Sequence, residues 1–303
     1  MSSARKIFDV DDLTTEELAE VLEFSALRNP PKVLSNKSVA VVFEKPSLRT
    51  RNSTEVAIRQ LGGGVTTMVD QEIGIGVRES ASDIASTLCG YHDLICARVK
   101  SHETLESFAA VSLARGVGVV NLLSDLSHPV QALADVLTIK QVWTGVGHPR
   151  LTYVGDSNNV ASSLAKAASY AGIDVTISSP AGYEFDDSTL ERLNVGDGLV
   201  KKVSNPKEGV KGADFIYTDV WVSMGQEDQT ETRLADFGSY QVNSGLMALA
   251  GDGVKFMHCL PAHRDLEVSA EVIDSADSIV WIQAENRLHS MRGLLLKLFW
   301  KAN

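Results

Sequence analysis

Cysteine is scarce in this chain, with only Cys89, Cys96 and Cys259 among 303 residues. None stands at CxxC or other metal-ligand spacing, so a disulfide framework is disfavoured and a reducing, cytoplasmic setting is expected. Long apolar runs are also missing. No window approaches the roughly 20 apolar residues of a membrane helix, and Met1–Asp12 carries no apolar signal region. Positive charge is in deficit: the formal net charge is −11, which argues against nucleic acid or an anionic membrane as partner. The G-x-G-x-x-G fingerprint and the Walker A lysine loop are both absent, which disfavours a nicotinamide or nucleotide cofactor. What remains is 44% hydrophobic and 22% charged. Such a chain can bury a sizeable core, and its length suggests two domains at about 100–200 residues each.

Apolar strand-like runs alternate with helical patterns along that length. The first helix opens with a capping box, Thr14 and Glu17, and a hydrophobic staple, Leu13 and Leu18. Strands are expected at Val39–Phe43, Val65–Val69, Leu94–Val99 and Val117–Leu122, with helices near Ser47–Leu61, Ser80–Tyr91, His102–Arg115 and His128–Val142. The low-pattern stretch Thr144–Pro149 marks a boundary. A second series follows, with strands at Leu151–Val154, Ile173–Ile177, Phe215–Thr218, Val254–His258 and Ile279–Ile282, and a helix at Asn159–Ala171. Arg287–Trp300 reads as a long amphipathic helix. Strands spaced by helices imply βαβ units. The expected fold is therefore α/β: two domains, each a mainly parallel sheet flanked by helices.

In open parallel sheets ligands gather beyond the carboxyl ends of strands, and chemistry-bearing residues recur there. Pro46-Ser47-Leu48-Arg49-Thr50-Arg51 joins a strand to a helix. A helix start with guanidinium groups suits a phosphate; a capped helix with solvated arginines would read the same way. Arg98 ends one strand, and His128-Pro129-Val130-Gln131 opens a helix after another. Asn158 and Asn159, then Asp219 with Ser223-Met224-Gly225, then His258-Cys259-Leu260-Pro261, and finally Glu285-Asn286-Arg287, each follow an expected strand. Singly, a histidine at a helix end, a buried cysteine or a capping aspartate is ordinary. Their joint placement describes an expected cleft between two domains, with arginines for a phosphate on one wall and carboxylate and amides for a zwitterionic or cationic molecule on the other.

These stretches also carry a resemblance. Phe43-Glu44-Lys45-Pro46-Ser47-Leu48-Arg49-Thr50-Arg51 resembles the carbamoyl-phosphate signature of the carbamoyltransferases, and His128–Asp135 resembles their second signature. Asp219–Glu227, His258–Arg264 and Glu285–His289 are similar to the ornithine branch of that family. The resemblance runs from about Phe8 to the C-terminal helix. It implies carbamoyl transfer from carbamoyl phosphate to the δ-amine of L-ornithine, with no metal or organic cofactor. It further implies a carbamoyl-phosphate domain over 1–142 with 287–303, an ornithine domain over 143–286, a C-terminal helix returning to the first domain, and a homotrimer or multiple of trimers.

By the same resemblance, Ser47, Arg49, Thr50 and the backbone N–H of Leu48 hold the phosphate. Arg98, His128 and Gln131 address the carbamoyl end, and Arg287 returns to the phosphate side. Asn159, Asp219, Ser223 and Met224 hold the amino acid, with Cys259 and Leu260 near the attacking amine. Arg98, His128, Asp219 and Cys259 are the expected catalytic group. Three positions depart from the family pattern. Leu48 replaces the usual Thr, which leaves only a backbone contact and is tolerated in relatives acting on acylated ornithines. Thr54 replaces Phe, and Gly74 stands where Gln or His is common in a loop donated between subunits.

Overall fold

The computed structural model describes residues 4–223 and 226–300. The chain forms two compact units: residues up to Leu137 together with those from Glu285 onward, and Thr138–Ala284.

The first unit holds strands β1 (Lys6–Ile7), β2 (Ser38–Phe43), β3 (Gly64–Val69), β4 (Leu94–Arg98) and β5 (Gly118–Leu123). Its helices are α1 (Thr15–Ser25), α2 (Leu48–Gln60), α3 (Asp70–Ile73), α4 (Ala81–Leu88), α5 (His102–Ser112) and the start of α6 (Pro129–Val142). All strand pairs are parallel, in the order β1-β5-β4-β2-β3. Val39–Phe43 is buried throughout, as a strand covered on both faces must be. Ala40, Val42, Ile95, Ala97 and Val119 of the sheet share one core with Ile84 and Leu88 of α4 and Leu105 and Phe108 of α5. The capping box at Thr14 is formed, with Glu17 N donating to Thr14 Oγ1 and Thr14 N to Glu17 Oε2, both at 3.2 Å.

The second unit holds β6 (Arg150–Val154), β7 (Asp174–Ser178), β8 (Val200–Val203), β9 (Phe215–Thr218) and β10 (Lys255–His258). These also pair in parallel, in the order β10-β9-β6-β7-β8. Helices α7 (Asn159–Tyr170), α8 (Asp187–Leu193), α9 (Pro206–Gly209), α10 (Thr230–Phe237), α11 (Ser244–Ala250) and α12 (Ala270–Ile273) belong to it. Val154, Ile216 and Phe256 form a core with Leu246 of α11 and Val272 of α12.

Helix α13 (Val280–Phe299) ends the fold, and its larger part lies in the first unit. There Arg292 Nη2 donates to the carbonyls of Ser25 and Leu27 at 3.1 and 2.7 Å, at the end of α1. Gly293 lets the two helices touch: a Cβ there would lie 2.2 Å from Ser25 Oγ and 2.3 Å from the Val21 carbonyl. The C-terminal helix therefore packs on the first domain, as expected.

One expected strand is overturned. Ile279–Ile282 is not β: Ile279 N makes a single bond to the Phe256 carbonyl, at 2.9 Å, and α13 starts at Val280. Consequently Glu285, Asn286 and Arg287 lie within a helix rather than beyond a strand end. Along its first half the buried positions are Val280, Gln283, Asn286, Arg287 and Ser290, a helical spacing, while Trp281 and Ile282 are exposed. Polar residues on the buried face hid that period. Strands β1 and β8 were not foreseen; the first has two residues and the second carries Lys201-Lys202. Among the described residues no helix is long and apolar enough to cross a membrane.

Candidate active site

Each sheet reverses its winding once, and such a reversal opens a crevice at strand carboxyl ends. In the first unit the reversal lies between β2 and β4, where Phe43 pairs with Arg98. Glu44 pins the two ends together: its N–H donates to the Arg98 carbonyl at 2.9 Å, and its Oε2 accepts from Lys100 N at 2.8 Å. After β2, Ser47 caps α2 by accepting from Thr50 N at 3.3 Å. The helix start leaves first-turn N–H groups and the positive dipole end facing the crevice. Leu48 is the first helical residue and is 74% exposed; its aliphatic side chain has no donor or acceptor, so a hydrogen bond to a ligand at the cap could come only from its backbone. Arg51 is exposed and bonded to Glu55 at 2.9 Å.

Around that cap the structure gathers five further expected residues. Thr50, Arg98, His128, Gln131 and Arg287 are all buried. Arg287 donates from Nη2 to Thr50 Oγ1 at 3.1 Å and from Nη1 to Gln131 Oε1. Gln131 Nε2 in turn donates to Asp135 Oδ1 at 2.8 Å. The His128 carbonyl accepts from Gln131 N and Ala132 N at 3.1 and 3.2 Å, and Pro129 takes the first helical position of α6. Burial holds the His128 imidazole well below its ordinary pKa, and the charges of Arg287 and Arg98 add to the effect. His128 is thus a neutral ring at neutral pH, able to donate one N–H.

In the second unit the reversal lies between β6 and β9, where Val154 pairs with Thr218 and Thr218 with His258. The next residues along these strands face one another. Asn158 caps α7, accepting from Val160 N and Ala161 N at 2.9 and 3.1 Å, and its Nδ2 reaches Asp219 Oδ2 at 3.1 Å. Asp219 Oδ1 accepts from Val220 N at 2.8 Å and lies 2.8 Å from Cys259 Sγ. Asn159 is the first residue of α7. Ser223 N donates to Gln226 Oε1 at 3.1 Å. Met224 and Gly225 lie outside the described residues. Leu260 has a φ of 58° and precedes a cis peptide bond to Pro261.

Ligand atoms of Asp219, His258 and Cys259 lie within 4.8 Å of one another. His258, however, accepts at Nδ1 from Leu260 N at 2.8 Å and meets Glu267 Oε1 at Nε2, at 3.2 Å. Both ring nitrogens are spent within the protein, so an ion could use one only by breaking a hydrogen bond.

Three supporting residues were not singled out in the sequence. Asp135 anchors Gln131 and lies one helical turn on. Arg233 holds Asp156 Oδ2 at 2.8 Å and the Trp221 carbonyl at 2.9 Å. Burial pushes the Asp156 carboxyl up, Arg233 pulls it back, and Asp219 adds to the upward push. Glu267 accepts from His258 and, at 2.6 Å, from His263 N. Burial alone would raise its pKa, yet these bonds hold it below the usual carboxylate value. Only Asp135 had a usable signal, its i, i+4 spacing from Gln131.

Each unit thus carries a capped cluster at its own sheet reversal in an α/β fold, one rich in arginine and suited to an anionic group, the other presenting a carboxylate beside a thiol and suited to an amino group. Residues 5–141 match the carbamoyl-P binding domain of aspartate/ornithine carbamoyltransferases, and residues 148–298 match their Asp/Orn binding domain. The ornithine carbamoyltransferase of Methanosarcina mazei is 41% identical, over 97% of this chain and 99% of its own. The crystal structure of ornithine carbamoyltransferase from Thermus thermophilus superposes with a TM-score of 0.87 at 40% identity, covering 97% of this chain and 99% of that one. The ornithine carbamoyltransferase structure from Pyrococcus furiosus gives 0.91 at 41% identity, covering 99% and 98%. The chain belongs to the aspartate/ornithine carbamoyltransferase family.

Proposed function

We propose that this protein transfers the carbamoyl group of carbamoyl phosphate to the δ-amine of L-ornithine, giving L-citrulline and phosphate. The observation that carries the reading is the buried bonding of Arg287 to Thr50 and Gln131 beside His128, at the capped start of α2. Such a cluster suits a small, doubly charged anion whose carbonyl must be polarised.

Attack of the amine makes the carbamoyl carbon tetrahedral, and phosphate then departs. Charge grows first on the carbonyl oxygen and then on the leaving oxygens, so donors must meet both. Thr50, Arg98 and His128 take the first role, with Gln131 at the carbamoyl end. Ser47, Arg49, Arg287 and the Leu48 N–H take the second. A neutral His128 donates without competing for a proton. On the acceptor side, Asp219, Asn159, Ser223 and Met224 bind the ammonium and carboxylate of ornithine. Cys259 and Leu260 lie next to the attacking nitrogen. The free δ-ammonium has a pKa of about 10, like lysine, and desolvation beside cations favours its loss of a proton. Leu48 keeps its backbone contact, and no side-chain contact is asked of it. The reading includes a cytoplasmic enzyme working as a homotrimer or a multiple of trimers, in keeping with the sequence resemblance.

The test is stoichiometric. Purified protein given both substrates should release citrulline and phosphate in equal amounts. Tight carbamoyl-phosphate binding without turnover on any amine would contradict the reading.

A further inference from the structure

We infer that a basic cavity at the far end of α2, where α1 ends against α13, binds a phosphate group, free or as the end of a small phosphate monoester. It is a second anion site, separate from the candidate active site, and it stands apart from the carbamoyl-transfer reading.

The cavity measures about 260 Å³ and is lined by Arg28, Asn29, Pro30, Lys32, Gln60 and Arg292, all of the first unit. Drug-sized ligands fill roughly 300–1,000 Å³, so its occupant is small. Arg28, Lys32 and Arg292 bring positive charge, and the lining holds no carboxylate. Such a concentration is unexpected in a chain whose formal net charge is −11. Gln60 is the last residue of α2 and Leu48 the first. At a rise of about 1.5 Å per residue, the cavity lies roughly 18 Å from the capped start of that helix.

Arg292 is the buried member, only 6% exposed. Its Nη2 holds the Ser25 and Leu27 carbonyls, and its Nη1 donates to Gln60 Oε1 at 3.0 Å. These partners are all neutral oxygens, and its Nε–H is buried with no partner among the described residues. Burial holds its pKa below the ordinary guanidinium value, as expected of a desolvated charge without a counter-ion. Lys32 Nζ donates to the Gln60 carbonyl at 2.6 Å, which leaves it donors to spare. Gln60 spends its oxygen on Arg292, so its amide NH2 is left to donate.

Capping the carbonyls at the ends of α1 and α2 accounts for Arg292 Nη2 and for Lys32. It does not account for Arg28. That residue is exposed and makes no hydrogen bond or ion pair among the described residues. Holding its charge beside two others costs repulsion, which an anion between them would reverse. The charged and amide groups of the lining can all donate, and a phosphate offers the matching set: several accepting oxygens and about two negative charges. A monocarboxylate would leave most of the positive charge unanswered.

The two exposed cations can be removed without touching the contact between α1 and α13. Equilibrium dialysis of the full chain against radiolabelled inorganic phosphate counts the phosphate bound. The parent should bind one equivalent per chain more than the Arg28→Gln, Lys32→Gln double variant. Each single substitution should weaken the extra site about tenfold, the loss of one charge-assisted hydrogen bond. The variants should keep the parent's kcat/KM for carbamoyl phosphate, since neither residue belongs to the candidate active site. Glucose 6-phosphate serves as a competitor: displacement at lower concentration than phosphate itself assigns an organic monoester to the site, and weaker displacement assigns free phosphate. Equal phosphate binding by parent and double variant would overturn the inference. So would a lost equivalent matched by a lost kcat/KM, which would place that phosphate at the candidate active site. If the parent makes no citrulline, the functional reading fails, while the difference in bound phosphate still decides this one.

Discussion

Arg287 Nη2 lies 3.1 Å from Thr50 Oγ1, joining residues 237 apart in the chain within the arginine-rich cluster of the first unit. The bond places a guanidinium carried by the last helix at the start of α2, where phosphate is proposed to bind. Arg287→Met should lower kcat/KM for carbamoyl phosphate by roughly 10²–10³-fold, the usual cost of a lost transition-state donor. Arg287→Lys should recover little, because a single ammonium cannot reach Thr50 and Gln131 together. Steady-state kinetics of both variants checks this, and near-parental kinetics for Lys would count against the two-pronged role.

Arg49→Ala should depress kcat by two orders of magnitude or more, since contacts to the departing phosphate are felt most in the transition state. An unchanged kcat would remove Arg49 from the mechanism.

His128 predicts a pH dependence of stability. Its folded pKa lies well below the usual value, so below pH of about 6.5 the unfolded chain binds a proton that the folded protein refuses. Stability from this group is complete above that pH and falls on acidification, with a slope of at most about 1.4 kcal/mol per pH unit. Urea titrations from pH 7.5 down to 5.5 should show that slope in the parent and lose it in His128→Gln. An identical slope in the variant would assign it to other groups.

Gly293→Ala should cost about 1–3 kcal/mol as an overpacked helix contact, because the new Cβ would lie 2.2 Å from Ser25 Oγ and meet the Val21 carbonyl. Chemical denaturation measures it directly. A neutral effect would mean that α1 and α13 part easily.

Much of this was legible in the sequence because both sheets are parallel and buried. Val39–Phe43 and Leu94–Val99 read as strands from continuous apolar runs, and the capping box at Thr14 announced α1. The site was legible where short motifs follow strands: Ser47, Arg98, His128 and Asp219 all stand at strand ends or helix starts. Arg287 was legible as a residue but not in its setting. Ile279–Ile282 reads as a strand, whereas Gln283, Asn286 and Ser290 are buried polar residues that conceal the inward face of α13. Glu267 and Arg233 were invisible because a partner 9 or 77 residues away leaves no local pattern. The departure at Gly74 has a backbone explanation: it ends α3 at a φ of 61°, and a Cβ would lie 2.9 Å from Arg78 Cγ. Thr54 is buried in α2, in keeping with a packing role.

The central claim is that ornithine is the acceptor, and competing acceptors test it most directly. With saturating carbamoyl phosphate, kcat/KM should be highest for L-ornithine, well above acetylornithine, putrescine and lysine. A higher kcat/KM for any of those three would contradict the account, and one for acetylornithine would point to Leu48 as the residue that changed the acceptor.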